Sequence, residues 1–371
     1  MMIDPYAITH TPAFVLEYEA FQNNLSLIKE LQKELDISFL FALKGFAMHA
    51  VFGELASCAQ GATASSLNEA LLAAPYFSEV HAYAPVYQER EFEAIERIAS
   101  HITFNSLSQY EKHRKSVRKA SMGLRVNPLY STVSTALYDP CSPGSRLGIL
   151  PEELKSVPEG IEGLHVHNLC ESGAQDMAST LDSLELHYGH LLDKLVWLNL
   201  GGGHLVTRKG YDLDLFRTTI RSFKQKHPHL SLFFEPGAAF VWETGSLVTT
   251  VLDIVKNRGY TTLMLDTSFA AHMPDCLEMP YAPNVVGARQ GESGIRLGGC
   301  SCLAGDWVGS YTFAEEPKVG DRLVLLDMMH YTMVKTTMFN GIALPDIGIM
   351  QEGTYRIVKS FGFDEYQRRL S

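Results

Sequence analysis

Between residues 37 and 235, short apolar runs alternate with longer amphipathic stretches, and this alternation constrains the fold more than any other feature. The apolar runs, each typical of a buried strand, cover residues 38–44, 62–65, 80–83, 102–105, 122–126, 163–168, 195–200 and 230–235. Helical patterns separate most of them, at residues 67–74, 88–99, 108–115, 178–191 and 213–227. About eight βα units close a parallel (β/α)8 barrel of the TIM type; a doubly wound open sheet is the alternative.

The sequence pattern changes after Pro236. Residues 246–255, 262–266 and 322–326 are rich in Val, Leu and Thr and are separated by Gly, Pro and Asn, as in a β domain. Near the start of the chain, residues 13–17 predict a strand and residues 20–35 an amphipathic helix. We therefore predict an α/β chain with two domains. The barrel covers residues 18–240, and a β domain is assembled from residues 1–17 and 241–371.

The stretch from residue 127 to residue 151 predicts a long irregular loop. It contains four prolines and two glycines, which break regular elements. A long loop after a barrel strand is a usual place for a lid over an active site. We expect that role here.

Composition excludes several classes of function. The net charge of −11 disfavours nucleic acid or an anionic membrane as a partner and is compatible with a cationic substrate. No apolar run approaches the roughly 20 residues of a membrane span, and no signal peptide is recognisable at the N-terminus. Six cysteines in 371 residues do not form a disulfide framework. We expect a cytoplasmic protein with reduced thiols.

Suggestive residues stand at the ends of the predicted strands, where a parallel barrel carries its chemistry. Lys44 ends the first strand, and partial desolvation there would lower its pKa and free the amine for Schiff-base chemistry. Alternatively, its side chain extends to solvent. His165 and His167 end the sixth strand and point to the same side. They could line the interior, bind a metal or pack in the core.

The seventh and eighth predicted strands also end on notable residues. Gly201, Gly202 and Gly203 follow the seventh, and glycine allows the backbone N–H groups to approach a phosphate closely. A flexible turn is the alternative. Glu235 follows two phenylalanines, a position that suits pairing with a buried cation or the capping of a turn. Cys300 with the cysteine two residues later lacks a second pair of ligands, so we predict no metal site.

With these groups at the ends of different strands, the chain resembles the fold-type III pyridoxal-phosphate decarboxylases, which include ornithine and diaminopimelate decarboxylases. Within that family it most resembles the carboxynorspermidine/carboxyspermidine branch, over essentially its whole length. The segments that carry the resemblance are Ala42-Leu43-Lys44, Phe104-Asn105-Ser106, Ser145-Arg146-Leu147-Gly148, His167-Asn168-Leu169-Cys170-Glu171, Gly201-Gly202-Gly203, Glu235-Pro236-Gly237, Ser301-Cys302-Leu303-Ala304-Gly305-Asp306, Tyr331-Thr332-Met333-Val334-Lys335 and Phe339-Asn340-Gly341.

The resemblance implies a pyridoxal 5′-phosphate cofactor and a role for each matching residue. Lys44 would bind the cofactor covalently, His167 would stack on its ring and Glu235 would pair with the pyridine nitrogen. The phosphate would be held by Gly201, Gly202, Gly203, Gly237 and Tyr331. Cys302, as general acid, and Asp306 would come from the neighbouring subunit of a homodimer with shared active sites.

The resemblance also implies a reaction, the loss of the α-carboxylate from carboxynorspermidine or carboxyspermidine in polyamine biosynthesis. The substrate would be a small polycationic amino acid. Asp266 and Asp275 are candidates to bind its distal ammonium groups, and Asp275 could equally lie in a surface loop. Asp306 and Arg146 complete the predicted substrate-binding set. Arg146 could support the histidine and lysine or form an ordinary salt bridge.

Two positions depart from the pattern of that branch. Ala238 follows Glu-Pro-Gly at a position where Glu is usual in that branch and Arg in ornithine and diaminopimelate decarboxylases, and residues 45–49 lack the expected Ser-Thr-Trp. These changes do not affect the residues expected to carry out the reaction. They leave undetermined which aminocarboxypropyl compound is the substrate. The rivals are a diaminopimelate or ornithine decarboxylase, a non-catalytic homologue and a racemase. The retained Lys44, Glu235 and Cys302 argue against the non-catalytic homologue.

Overall fold

The computed structural model describes residues 3–133 and 136–371. The chain divides into two compact units, one formed by Asn24–Phe240 and the other by Met1–Asn23 together with Val241–Ser371. They are called the barrel unit and the sheet unit below. A short 3-10 turn (Pro5–Ala7) precedes the first strand, β1 (Ala13–Glu17), which is followed by helix α1 (Tyr18–Leu35). In the described part of the chain, no helix has both the length and the apolar character needed to cross a membrane.

The barrel unit is built on a closed barrel of eight parallel strands, which confirms the predicted fold class. Each strand pairs with the next in chain order, and the last pairs with the first. The strands are β2 (Ser38–Ala42), β3 (Gly61–Ala64), β4 (Val80–Tyr83), β5 (His101–Phe104), β6 (Ser121–Val126), β7 (Ile161–Val166), β8 (Trp197–Asn199) and β9 (Ser231–Phe234).

Helices follow most of these strands, as a βα barrel requires. They are α2 (Phe52–Cys58), α3 (Leu67–Ala73), α4 (Glu89–Ile98), α5 (Leu107–His113), α6 (Ala174–Leu192), α7 (Leu213–Lys226) and α8 (Gly237–Val241). Polar side chains cap the N-termini of three helices. Ser66, Ser106 and Asp212 each accept a hydrogen bond from a backbone N–H in the first turn of α3, α5 and α7, respectively.

Trp197 fills the interior of the barrel near the starts of the strands, in contact with Leu40 and Phe233. Two glycines on neighbouring strands make room for its indole. A Cβ on Gly163 would lie 2.0 Å from the indole, and one on Gly123 would lie 2.2 Å from it. The indole Nε1 donates to Ser121 Oγ at 2.8 Å. The large buried side chain of Trp197 therefore packs against two positions, Gly123 and Gly163, at which even a Cβ would clash with it.

The sheet unit contains a mixed sheet in the order β13-β12-β11-β10-β1-β15-β16, with β14 also paired to β10. β1 is an interior strand, antiparallel to β10 on one side and parallel to β15 on the other. The strands are β10 (Gly245–Asn257), β11 (Tyr260–Leu265), β12 (Ala288–Gly298), β13 (Trp307–Phe313), β14 (Arg322–Leu326), β15 (Asp346–Gln351) and β16 (Thr354–Lys359). The helices are α9 (Phe269–His272), α10 (Pro274–Glu278), α11 (Thr332–Lys335) and α12 (Phe363–Leu370).

Several barrel strands end earlier than the apolar runs predict. β2 ends at Ala42 rather than at Lys44, because the N–H of Gly45 turns back to donate to the Ala42 carbonyl at 3.0 Å. β7 likewise ends before His167, and β9 ends before Glu235. The chemistry-bearing residues therefore lie on the turns after the strands.

The predicted loop at residues 127–151 contains one short 3-10 turn, Ala136–Tyr138, and is otherwise irregular. Ser134 and Thr135 within it lie outside the described residues. The end of the loop is anchored to the barrel: Asn105 donates to the Arg146 carbonyl at 2.8 Å and accepts from the N–H of Gly148 at 3.0 Å. A role as a lid stays a prediction.

Candidate active site

The turns after β2, β7, β8 and β9 bring one group of predicted residues together in the barrel unit. These are Lys44, His167, the three glycines at 201–203 and Glu235. Parallel strands of a closed barrel all end at one rim, so residues far apart in the chain become neighbours. β2 and β9 are themselves paired, with Ser38 opposite Phe233.

Two further glycines let the turns after β2 and β9 approach each other. A Cβ on Gly237 would lie 2.9 Å from the Ala42 carbonyl oxygen, and one on Gly45 would lie 3.3 Å from Gly237. The first contact is closer than real Cβ atoms tolerate. Gly237, predicted to bind the cofactor, is thus needed for the packing of the strand ends that carry Lys44 and Glu235.

The amine of Lys44 lies 3.3 Å from Nε2 of His167. The other ring nitrogen, Nδ1, accepts the N–H of Gly202 at 3.0 Å, so the proton of a neutral ring is on Nε2. Burial and the nearby charge of Lys44 hold the pKa of His167 well below its usual value, so the ring is neutral. Burial also lowers the pKa of Lys44, against the opposing attraction of Glu235. The N–H on Nε2 of the neutral ring therefore faces an amine whose pKa is lowered.

Glu235 is a buried carboxylate, 4% exposed. Burial alone would raise its pKa, but the nearby His165 and Lys44 and a hydrogen bond from Asn199 outweigh this and lower the pKa to about 2. Asn199 Nδ2 donates to Glu235 Oε1 at 2.8 Å, and His165 Nε2 lies 3.5 Å from Oε2. The barrel therefore holds a buried carboxylate near an amine whose pKa is lowered by burial.

The glycines at 201–203 are required mainly because a Cβ at these positions would clash with neighbouring atoms of the same chain. A Cβ on Gly201 would lie 2.4 Å from the Val166 carbonyl oxygen, and one on Gly203 would lie 2.2 Å from the Leu169 carbonyl oxygen. Both have a positive φ, +64° and +87°. The N–H groups of Gly201 and Gly202 donate to Asn199 and His167. Among the described residues, none accepts from the N–H of Gly203.

Sequence reasoning missed two residues that position this group. Arg125, 4% exposed, donates to the His167 carbonyl at 2.8 Å and to the Tyr83 hydroxyl at 2.6 Å. Asn199 accepts from the N–H of Gly201 at 2.9 Å while it donates to Glu235. Each lies inside an apolar strand between two leucine or valine neighbours. A polar residue in that position is the signal that could have revealed them.

The three predicted aspartates lie in the sheet unit, and two have both carboxylate oxygens occupied there. Asp266 accepts from Thr11, Thr249 and the N–H of Thr250. Asp306 accepts from the Ser268 hydroxyl and from the N–H groups of residues 270 and 301. These bonds hold turns of the sheet unit together.

Asp275 differs from the other two aspartates. It is 7% exposed, and its Oδ2 accepts from Tyr281 and Thr332. In the described part of the chain, nothing donates to its Oδ1. A buried carboxylate oxygen without a donor is able to accept one from a ligand.

The remaining predicted residues are exposed. Cys302 is a free thiol whose backbone N–H donates to Asn340 Oδ1 at 2.8 Å. Tyr331 precedes α11 with φ +53°. Arg146 lies in the barrel unit with an exposed side chain, and Arg125, rather than Arg146, contacts the His167 turn.

Comparison with known proteins identifies the family. The model of the family described as "Pyridoxal-dependent decarboxylase, C-terminal sheet domain" matches residues 84–329. Carboxyaminopropylagmatine decarboxylase of Synechocystis sp. is 50% identical over 368 residues, covering 97% of this chain and 95% of that protein. This chain belongs to the pyridoxal-dependent decarboxylases. The predicted resemblance is confirmed, and the protein is a pyridoxal-phosphate-dependent decarboxylase.

Other members of the family agree in sequence and fold. Carboxynorspermidine/carboxyspermidine decarboxylase of Campylobacter jejuni is 37% identical, covering 98% of this decarboxylase and 99% of that protein. The crystal structure of carboxynorspermidine decarboxylase complexed with norspermidine, from the same organism, has a TM-score of 0.89 at 36% identity, covering 97% of this chain and all of that one. Diaminopimelate decarboxylase of Helicobacter pylori shares the fold, with a TM-score of 0.80 at 18% identity over 98% of each chain.

The residues of the barrel unit fit the cofactor of this decarboxylase family. Covalent attachment of an aldehyde needs an unprotonated amine, and the pKa of Lys44 is lowered by burial. A protonated pyridine nitrogen needs a buried anion, and Glu235 is one. A phosphate needs N–H donors, and the N–H of Gly203 lacks an acceptor within the described residues. All three requirements are met by groups at one rim of the barrel.

Proposed function

We propose that this decarboxylase removes the α-carboxylate of a polyamine bearing a carboxyaminopropyl group, with carboxyaminopropylagmatine as the first candidate. The main support for this chemistry is the amine of Lys44, whose pKa is lowered by burial and which lies 3.3 Å from Nε2 of His167. The 50% identity to the Synechocystis enzyme over nearly the whole chain supports the choice of substrate.

Lys44, His167 and Glu235 have distinct proposed roles. Lys44 would attach the cofactor, and its lowered pKa favours the unprotonated amine that attachment needs. His167, fixed by the Gly202 N–H and held on its carbonyl side by Arg125, presents its ring to the cofactor. Glu235, whose carboxyl pKa is lowered, would pair its negative charge with the pyridine nitrogen. The cofactor supplies an electron sink for the pair of electrons left as CO₂ departs.

The carbon that loses CO₂ must take up a proton, and we assign its delivery to the Cys302 thiol. The thiol is free and exposed in the sheet unit. As the sequence resemblance implies, we propose a homodimer in which Cys302 and Asp306 complete the partner's site. Sedimentation equilibrium of the holoenzyme tests this, and a monomer would contradict it.

The substrate's cationic tail is assigned to acidic groups. Asp275 is the strongest of the predicted aspartates, since one buried oxygen lacks a donor among the described residues, whereas Asp266 and Asp306 are fully engaged. We retain Tyr331, Gly201, Gly202, Gly203 and Gly237 as proposed phosphate contacts. Arg146 stays a proposed substrate contact, supported by its exposed side chain.

A second candidate is the carboxynorspermidine/carboxyspermidine reaction. Two relatives named for it are 37% and 35% identical to this chain. Ala238 and residues 45–49 depart from that branch, which favours a different aminocarboxypropyl compound. The two candidates differ at the far end, which is a guanidinium in an agmatine derivative and an ammonium in the carboxylated polyamines.

A substrate panel tests the proposal. The holoenzyme is supplied in parallel with carboxyaminopropylagmatine, carboxynorspermidine, carboxyspermidine, ornithine and diaminopimelate, and the released CO₂ is measured. We expect the highest kcat/KM for carboxyaminopropylagmatine. A preference for carboxynorspermidine or carboxyspermidine transfers the assignment to the second candidate, and release from ornithine or diaminopimelate alone refutes both.

Two lysine variants serve as controls in the same assay. Lys44→Ala removes the amine that attaches the cofactor, and turnover is lost. Lys209→Ala, at an exposed position, keeps the wild-type rate. A Lys44→Ala rate within about tenfold of wild type contradicts the role of Lys44.

A further inference from the structure

A second cluster of potential ligands lies in the barrel unit, separate from the group at the C-terminal rim. Glu79, His81 and His101 each offer one ligand atom, and these atoms lie within 4.8 Å of one another. Glu79 directly precedes β4, and His101 begins β5. The cluster is therefore near the starts of the barrel strands, the end opposite to the turns that carry Lys44 and Glu235.

The strand register brings the two histidines together. His81 on β4 is the direct partner of His101 on β5 in a parallel pair, so both side chains point to the same side of the sheet. Their rings stack with centroids 3.8 Å apart and planes 18° apart. Phe233 packs against both rings, and Trp197 packs against His101. Nineteen residues lie between His81 and His101 in the chain, which is why no sequence motif predicts the cluster.

His81 is buried with one nitrogen unsatisfied. The residue is 4% exposed, and its Nε2 has no hydrogen-bond partner among the residues described. The nearest carboxylate oxygen, Glu79 Oε2, lies at 3.5 Å. At that distance the carboxylate satisfies the buried ring nitrogen only weakly, so the nitrogen can take a better partner.

His101 is held in one tautomer by its neighbour. Ser100 Oγ donates to the Val80 carbonyl at 3.2 Å, so it receives the proton of His101 Nδ1, 3.0 Å away. The free lone pair is then on Nε2. Burial lowers the pKa of His101 to about 3, so the ring stays neutral at physiological pH. An outer group that fixes the tautomer of a histidine is a usual accompaniment of metal binding.

Glu79 supplies the negative charge and a route to solvent. Its proximity to His81 lowers the pKa of the carboxyl group, and Gln60 Nε2 donates to Oε1 at 2.9 Å. The side chain is 28% exposed, so an ion can enter past it. Two imidazoles and a carboxylate form a donor set that Zn²⁺ accepts, with a fourth position left for water.

We propose that Glu79, His81 and His101 form a binding site for a divalent transition-metal ion, best suited to Zn²⁺, that joins β4 to β5 at the start of the barrel. The site has a structural role, since the decarboxylation groups occupy the other rim. Binding opens the stacked rings, because an ion bound by both must lie near the plane of each. His165, His167 and Glu235 form a similar triad, but His167 and Glu235 have roles toward the cofactor.

Metal binding is measured on the chelator-treated holoenzyme, whose bound cofactor engages the triad at the other rim. Isothermal titration with Zn²⁺ is expected to show one saturable site per chain, and Zn²⁺ is expected to raise the Tm. Co²⁺ serves as a spectroscopic probe, and its spectrum is expected to lack the thiolate charge-transfer band that binding by Cys300 or Cys302 would produce. Absence of a one-to-one site, or a thiolate band, overturns the proposal.

Three variants identify the ligands. His101→Gln and Glu79→Gln should weaken Zn²⁺ binding at least tenfold and abolish the rise in Tm, whereas His190→Gln, on the exposed face of α6, should change neither. Unchanged binding in both ligand variants overturns the proposal. Glu79→Gln alters a partly exposed side chain and serves if His101→Gln does not fold. Decarboxylation by Glu79→Gln should remain at the wild-type rate.

Discussion

At the scale of single residues, the site depends on polar side chains that act through others. Asn199 uses both ends of its amide, accepting from Gly201 and donating to Glu235. Arg125 holds the carbonyl of His167, whose ring is fixed on its other side by Gly202. The positions of Lys44, His167 and Glu235 therefore depend on a network, and the loss of any member leaves buried polar groups unpaired.

Replacement of Asn199 tests this network. Asn199→Ala leaves a Glu235 oxygen and the Gly201 N–H without partners, so the carboxylate proposed to pair with the pyridine nitrogen is less well held. Hydrogen bonds to charged groups contribute about 1.5–3 kcal/mol, so cofactor affinity should fall about 10- to 100-fold. Titration of the apoprotein with pyridoxal phosphate, followed by absorbance, measures it. Asn68→Ala, at an exposed position, should bind normally, and equal affinities would show that Asn199 plays no such part.

Single residues also show which parts of the site could be predicted from the sequence and which could not. Lys44, His167 and Glu235 could be predicted because each ends an apolar run, and the barrel brings such ends together. Arg125 could not, because its partners are backbone and hydroxyl groups supplied by other strands. The pairing of His81 with His101 depends on strand register, which the sequence does not display.

At the scale of elements, glycines decide how closely the barrel strands and turns pack. Gly123 and Gly163 leave space for Trp197, and Gly45 and Gly237 let two strand ends approach. The apolar runs predicted the barrel strands well because a parallel barrel buries both faces of each strand. β12 was not predicted, because most of its residues are exposed and it contains few apolar side chains.

Two Gly→Ala substitutions distinguish the effect of overpacking on stability from the effect of reduced backbone flexibility. Gly163→Ala places a Cβ 2.0 Å from the Trp197 indole, and overpacking of this kind should destabilise the protein by about 1–3 kcal/mol. Gly189→Ala, inside α6 with open space around the new Cβ, should stabilise it by about 0.5–1 kcal/mol. Thermal unfolding of both variants should shift the Tm in opposite directions, and a neutral Gly163→Ala would contradict the packing argument.

At the scale of the whole molecule, buried neutral histidines are distributed over both units. Burial lowers the pKa of His101 to about 3 and of His204 and His272 to about 4. In the unfolded chain these rings take up protons as the pH falls below about 6.5, while in the folded chain they do not. Protonation therefore favours the unfolded state, and stability decreases as the pH falls from 6.5 toward 4.

The pH dependence can be measured by urea unfolding, in the presence of a chelator, at a series of pH values between about 7.5 and 5.5. Below pH 6.5 each such histidine reduces the free energy of unfolding by about 1.4 kcal/mol per pH unit. His204→Gln removes one of these groups and should make the dependence shallower, whereas His190→Gln, at an exposed position, should not. Identical slopes for wild type and His204→Gln would show that His204 takes up a proton in the folded state.

The place of β1 between β10 and β15 in the sheet unit has a consequence for synthesis on the ribosome. β1 leaves the ribosome long before these two partners, which begin at Gly245 and Asp346. At about 5–20 residues per second, tens of seconds pass before both exist. The whole barrel can form in that interval, while residues 13–16, fully buried in the finished protein, have neither neighbour. A ribosome stalled before β15 therefore leaves an apolar strand with an open edge, a template for aggregation.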